Sequence, residues 1–143
     1  MTSSIPKLIS NTFGLIDKKK VSSFSKDYID KFNIVLTSGR QLMEELSGGN
    51  QQKCIISKWL LSNPSILILD EPTRGVDVGV KSEMYEIIKQ LSKNGTAIIL
   101  ISSELTEILS LAHRIVVMRE GCISNILDHK DASQEIIMQN AIN

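Results

Sequence analysis

The sequence predicts an α/β domain with a mostly parallel sheet and flanking helices. Two short apolar runs, Ile66–Leu69 and Thr96–Ile101, have the length and composition of strands buried on both faces. Between them, apolar residues recur every three or four positions from Val80 to Leu91, as one buried helix face requires. Strands that alternate with amphipathic helices are typical of parallel sheets covered by helices.

The residues before the first strand are predicted to form helices and loops. A first helix is indicated by apolar residues at spacings of three and four, namely Val21, Phe24, Tyr28, Ile29 and Phe32. A second helix is predicted over 46–61, with Ser47 as its N-cap and Asn63-Pro64 at its end. Its buried side is predicted to carry Ile55, Ile56, Trp59 and Leu60.

The remaining elements follow the first strand in alternation. The helix that begins near Val80 is predicted to stop at Asn94-Gly95, because glycine adopts a left-handed conformation readily. After the second strand we predict a helix over 104–112, a strand over 115–118, a turn at Glu120-Gly121 and a return strand ending at Leu127. Asp131, with Gln134 three residues on, is predicted to cap a last helix.

Composition limits the function classes. Sixteen basic and sixteen acidic residues cancel in a chain of 143 residues that is 42% hydrophobic, so we expect a globular domain and no nucleic-acid partner. No stretch approaches the ~18 apolar residues of a membrane span, and the first twenty residues lack the pattern of a signal peptide, so a cytoplasmic location is expected. Cys54 and Cys122 have no metal-ligand spacing and are predicted to be reduced structural thiols.

Two acids follow the first predicted strand. Asp70 and Glu71 come directly after four aliphatic residues. In open α/β sheets, ligands bind beyond the carboxyl ends of the strands, where a cation and water can satisfy carboxylates. The bland alternative is that these acids simply open a loop, but the pattern favours a functional site.

The stretch LSGGNQQK, residues 46–53, pairs two glycines with a lysine at a predicted helix start. It is not a P-loop, because no second glycine directly precedes Lys53 and no serine or threonine follows it. Free N–H groups at a helix N-terminus favour an anion, and glycine lets the anion approach closely. Local sequence favours phosphate contact and a simple cap with a tight turn equally.

LSGGNQQK followed by LILDEPTRGVD resembles the signature motif, Walker B strand and D-loop of ATP-binding-cassette (ABC) transporter ATPases. The segments GNQQK, EPTRGVDVG, ISSE and VVMREG are similar to those in the second nucleotide-binding domain of tandem ATPases. These ATPases drive bacterial ribose- and galactose-type sugar importers. The resemblance runs from about Phe13 to the C-terminus. DNA-repair ATPases share the first two motifs, but their other motifs differ and nothing basic here indicates DNA.

The resemblance implies ATP and Mg²⁺ as cofactors and a head-to-tail partner domain. Ser47, Gly48 and Gly49 would bind the γ-phosphate of an ATP held by the P-loop of the opposite domain. Gln51 would extend the helix beside the signature, in a positioning role among the nucleotide-binding residues.

It also implies three roles in catalysis. Asp70 would orient Mg²⁺ through water, and Glu71 would act as general base or polarise the attacking water. Asp77 would be the D-loop aspartate that couples the two sites.

One position departs from the family pattern. The switch histidine is expected directly after the second strand, and Ser103 stands there. A hydroxyl has neither the charge nor the reach of an imidazole. Neither His113, at a helix end, nor His129, in a late loop, is a substitute. A serine here resembles the second domain of the sugar-importer ATPases. We therefore expect that the chain's own ATP site is weak and that the chain mainly supplies its signature motif to the more active site.

The resemblance further implies that the chain is the C-terminal part of a P-loop NTPase domain. Residues 1–62 would belong to the helical subdomain facing transmembrane permease subunits, and 63–143 to the RecA-like core. The P-loop strand would lie between the second and third strands. Without it, the flanking strands would expose unpaired edges, so we expect marginal stability and self-association.

Two function classes follow. The first is part of an ATPase that energises monosaccharide import, held at the inner face of the cell membrane by permease subunits and inactive by itself. The second is a non-catalytic remnant or regulatory module that keeps the signature helix as a binding surface.

Overall fold

A computed structural model describes residues 16–142, which form two units. Within residues 16–142, one unit comprises the residues up to Pro64 together with Gly75–Lys81, and the other comprises Ser65–Arg74 together with the residues from Ser82 onward. Phe13, where the resemblance begins, lies outside the described residues.

The first unit contains helices α1 (Lys18–Lys31) and α2 (Gly48–Leu60), with a short 3-10 helix at Met43–Glu45 between them. The Asp17 side chain caps α1 by accepting hydrogen bonds from the backbone N–H groups of Lys19 and Lys20 at 3.0 and 3.2 Å. The buried apolar residues are Phe32, Ile34, Ile56 and Leu60.

The predicted buried side of α2 was half wrong. Ile56 and Leu60 are buried, but Ile55 and Trp59 are 44% and 55% exposed. The buried stripe instead runs through Gly49, Lys53, Ile56, Ser57 and Leu60, which follow the spacing of one helix face. A buried polar residue is tolerated when it is hydrogen-bonded, as Ser57 is through its hydroxyl to the Lys53 carbonyl at 2.8 Å.

The second unit contains the parallel strand pair β1 (Ile66–Asp70) and β2 (Ala97–Ile101). The crossover between them contains helix α3 (Val78–Lys93), which stops before Gly95, a glycine with φ +92°. The α3 positions on the predicted face are buried at Met84, Ile87, Ile88 and Leu91. On β1, Leu67 and Leu69 are buried, whereas Ile66 and Ile68 on the other face are exposed. The predicted β-α-β unit is confirmed by the parallel pairing across α3, but the predicted burial of the strands on both faces was wrong, because one face of the pair is exposed.

After helix α4 (Leu105–Leu111), strands β3 (Arg114–Arg119) and β4 (Cys122–Asp128) form an antiparallel hairpin. Its turn has positive φ at both Glu120 and Gly121, which matches the twist of the strands it joins. Ile115 and Val117 pack with Ile137 of helix α5 (Gln134–Ile142) in a small core.

The predicted cap of α5 was wrong. Asp131 ends a short 3-10 helix at His129–Asp131, and the Ser133 hydroxyl accepts the hydrogen bond from the Ile136 N–H at 3.2 Å. Ser133 directly precedes the helix and can reach that N–H, whereas Asp131 lies two residues further from the helix start.

Candidate functional site

Two acids and a serine lie together where β1 and β2 end, and we name Asp70, Glu71 and Ser103 the acidic edge. The strands are parallel and Asp70 is in register with Ile101, so their carboxyl ends lie side by side. Asp70 is exposed at the last position of β1. Both predicted acids therefore lie at the ligand-binding end of this sheet.

Glu71 is fixed at its backbone and at its carboxylate. Its N–H donates to the Ile101 carbonyl at 2.9 Å, and its φ of +47° is in the left-handed region, which is uncommon for a residue with a side chain. Its Oε1 accepts a hydrogen bond from the Ser103 N–H at 2.8 Å. The residue at the expected switch position thus contacts the predicted general base through its backbone.

A buried contact supports the loop that follows. Thr73 and Glu107 are each 1% exposed, and the Thr73 hydroxyl donates to Glu107 Oε1 at 2.9 Å. This contact connects the loop after β1 with α4. Sequence reasoning missed Glu107, because an acid on a helix is ordinarily a solvated residue.

The second group of predicted residues, Ser47–Gly49, is named the glycine turn. Ser47 precedes α2 as predicted, but its side chain caps no backbone N–H. Its Oγ instead accepts a hydrogen bond from Asn50 Nδ2 at 2.9 Å, and Ser47 itself is exposed.

The two glycines of the turn have different surroundings. A Cβ on Gly48 would meet nothing within 4 Å, whereas a Cβ on Gly49 would overlap the Val80 side chain, with Cγ2 at 2.9 Å. Gly49 is also buried and Gly48 exposed. Close packing against Val80 therefore accounts for Gly49, while Gly48 is open to a ligand.

The polar residues that follow the glycines make contacts within the chain. Lys53 is 3% exposed, and its ammonium donates to the Asn33 carbonyl at 3.0 Å. Gln51 Nε2 donates to the Leu46 carbonyl at 2.9 Å. Lys53 therefore supports the fold, and the role of Gln51 beside the nucleotide stays a prediction.

Asp77 lies just before α3 and is exposed. Its carboxylate accepts a hydrogen bond from the Val80 N–H at 3.0 Å, the geometry of a helix cap. The residue that packs on Gly49 is thus also bonded to Asp77.

The donor set at the acidic edge suits Mg²⁺. This ion prefers oxygen ligands, retains several waters and is commonly held by one or two carboxylates together with substrate phosphates. Asp70 and Glu71 supply such oxygens at the end of β1. The fit is therefore to an ion that shares its ligands with water and phosphate. Within residues 16–142, no helix is long and apolar enough to cross a membrane.

Comparison with known proteins agrees with these motifs. A family profile described as "ABC transporter" matches residues 5–74. A ribose import ATP-binding protein of Clostridium perfringens is 48% identical over 136 residues, 95% of this chain and 27% of its own length. The chain belongs to the ABC transporter ATPase family. A ribose import ATP-binding protein of Yersinia pestis is 51% identical over 88% of this ABC ATPase chain and 25% of its own length. The chain thus spans about a quarter of the length of these relatives.

Solved structures agree on the fold. The dimeric structure of a bacterial ABC transporter cassette matches this ABC ATPase chain with a TM-score of 0.71 at 19% identity, over 81% of this chain and 50% of that one. A second ATP-binding cassette of an ABC transporter matches with a TM-score of 0.73 at 21% identity, over 88% and 51%. The predicted fold class is therefore confirmed.

Proposed function

We propose that the chain is part of the ATP-hydrolysing subunit of a monosaccharide importer, with ribose as the candidate substrate because the relatives are named for ribose import. The observation that carries this proposal is the acidic edge, where a backbone N–H holds the Glu71 carboxylate beside Asp70 at the end of two parallel strands. Within this proposal, 1–62 belong to the helical subdomain and 63–143 to the RecA-like core.

The acidic edge has a direct chemical use in ATP hydrolysis. The Ser103 N–H holds the Glu71 carboxylate through Oε1, and this carboxylate polarises the attacking water or accepts its proton. Asp70 would hold Mg²⁺ through water, and the bound ion would neutralise charge on the phosphates.

The glycine turn acts on a nucleotide held elsewhere. Ser47, Gly48 and Gly49 contact the γ-phosphate of an ATP held by the P-loop of a second nucleotide-binding domain in a head-to-tail dimer, as the family resemblance implies. Asp77 couples the two sites, which is supported by the contact of Val80 with both Asp77 and Gly49.

The chain's own composite site is the weaker of the two. Ser103 contributes a backbone N–H to Glu71 but no imidazole to the phosphate. The chain therefore corresponds to a second nucleotide-binding domain that mainly supplies its signature to the better site.

The partners follow from this assignment. Transmembrane permease subunits hold the chain at the cytoplasmic face of the cell membrane, and no nucleic acid is involved. Among the described residues β2 pairs only with β1 and β3 only with β4, so each has an edge at which the isolated chain can self-associate. A sharp two-state unfolding transition from a strict monomer at high concentration would contradict this last point.

The alternative is a non-catalytic remnant or regulatory module. It is favoured by the serine at position 103, which has no imidazole. It shares the signature helix with the main proposal but predicts no turnover in any assembly.

Mg-ATP binding and turnover separate the two. The chain is assayed alone and with a nucleotide-binding domain that carries a P-loop, using Glu71→Gln and Ser47→Ala as controls. We expect no turnover by the chain alone, and turnover above that of the partner alone when the two are mixed. Stimulation lost in Ser47→Ala supports the trans-acting signature. No stimulation favours the remnant, and Glu71-dependent hydrolysis by the chain alone would contradict the need for a partner's P-loop.

A further inference from the structure

The side chain of Asn50 holds two parts of the chain at once. Its Oδ1 accepts a hydrogen bond from the Val35 N–H at 2.9 Å, and its Nδ2 donates to Ser47 Oγ at 2.9 Å. A backbone N–H can only donate, so the amide oxygen must face Val35 and the NH₂ group must face Ser47. The direction of both hydrogen bonds is therefore fixed by chemistry.

This arrangement determines whether the Ser47 hydroxyl acts as a donor or as an acceptor of hydrogen bonds. A hydroxyl has one hydrogen to donate and two lone pairs that accept. One lone pair is occupied by Asn50, and no described residue accepts the Ser47 hydrogen. Because Ser47 is exposed, its hydrogen is available to an acceptor from outside the chain.

Asn50 is itself bonded to a segment that is buried at the neighbouring residue, since Val35 is 69% exposed but Ile34 is buried. Val35 follows Ile34, which is 7% exposed, and the chain there is held again where the Lys53 ammonium bonds the Asn33 carbonyl at 3.0 Å. Asn50 thus fixes the exposed Ser47 hydroxyl relative to the segment that contains Val35. Phosphate oxygens are strong acceptors, so a serine held in the donor state is matched to them.

We propose that Asn50 is a positioning residue that holds the Ser47 hydroxyl as a hydrogen-bond donor toward a phosphate group. This inference rests on the proposed function, which supplies the phosphate as the γ-phosphate of ATP. Asn50 acts through Ser47 and has no contact with the phosphate in this role.

Asn50→Asp is the sharpest variant, because aspartate has the shape of asparagine and can still accept from the Val35 N–H. Its carboxylate has no hydrogen to give to Ser47 and accepts the Ser47 hydrogen instead. Ser47 then donates its hydrogen to residue 50 instead of accepting one from it. We expect stimulated ATP turnover with the P-loop partner domain to decrease about 10- to 100-fold, the range for losing a hydrogen bond to a charged group.

Aspartate also adds a negative charge, so the test includes Ser47→Ala and the double variant. If Asn50 acts through Ser47, the double variant is no slower than Ser47→Ala alone. If Asn50→Asp slows the Ser47→Ala protein by the same factor as it slows the wild type, repulsion of the phosphate is the cause and the proposal is wrong. Asn50→Asp turnover equal to the wild type also overturns it.

A second measurement needs no nucleotide. In NMR spectra of the chain alone, we expect slow hydrogen exchange of the Val35 N–H in both the wild type and Asn50→Asp, which shows that the variant keeps its anchor. Fast exchange at Val35 in the wild type overturns the proposed geometry. If the wild type gives no stimulated turnover while Val35 is protected, it is the proposed function that has failed, and the phosphate role of Asn50 falls with it.

Discussion

The buried bond between Thr73 and Glu107 makes a quantitative prediction about stability. Both side chains are 1% exposed, and the hydroxyl is 2.9 Å from the carboxylate oxygen. Thr73→Val preserves the volume but leaves Glu107 without this donor. A hydrogen bond to a charged group contributes about 1.5–3 kcal/mol, and stranding a buried carboxylate is at the upper end, so we expect a loss of about 2–3 kcal/mol.

Urea unfolding at one fixed protein concentration measures this loss. With a denaturant dependence of about 1.5 kcal/mol per molar urea, the loss corresponds to a midpoint lowered by about 1.3–2 M. Glu107→Gln is the control variant, because its amide oxygen still accepts the Thr73 hydroxyl. In the Glu107→Gln background, Thr73→Val removes only a neutral hydrogen bond and is expected to cost about 0.5–1.5 kcal/mol.

The two backgrounds should therefore differ by about 0.5–2.5 kcal/mol in the cost of Thr73→Val. Equal costs in both would show that the charge of Glu107 has no part in holding the loop. A cost below about 0.5 kcal/mol in the wild-type background would refute the reasoning entirely, since a buried carboxylate would then have lost its donor without consequence.

Three further changes test other parts of the molecule. Gly49→Ala should destabilise the chain by about 1–3 kcal/mol through overpacking, whereas Gly48→Ala, with open space around it, should not; equal urea midpoints would contradict this. Burial raises the pKa of the Cys54 thiol, and Cys122 is exposed, so iodoacetamide at neutral pH should modify Cys122 first, as peptide mass analysis at short times will show. Ser133→Ala should cost about 1 kcal/mol in thermal or urea unfolding through loss of the α5 cap, and an unchanged midpoint would refute that role.

The elements were predictable because their signals are local. The helix face from Val80 to Leu91, the apolar runs of β1 and β2 and the turn at Gly121 each follow from periodicity or from backbone conformation within a few residues. The position of Asp70 and Glu71 at the end of β1 was predictable for the same reason. A buried aliphatic strand cannot easily continue through charged carboxylates, so the two acids mark the point where the strand ends.

The contacts that position the site were not predictable in this way. The bond from the Ser103 N–H to Glu71 joins residues 32 positions apart, and the bond between Thr73 and Glu107 spans 34. No periodic pattern encodes which residues such pairs will join. Hydrophobicity also misled us on α2, where Lys53 is buried because its ammonium reaches a carbonyl.

The left-handed backbone at Glu71 sets the stability of the chain against the function of its carboxylate. Glycine has no Cβ to strain at that φ, and relieving such a position typically recovers about 1 kcal/mol. A search for stabilising substitutions would therefore be drawn to position 71, and glycine there would remove the carboxylate that Ser103 holds. Thermostability chosen without an activity screen would in this way select against the acidic edge, and Glu71 would have to be kept fixed in any such design.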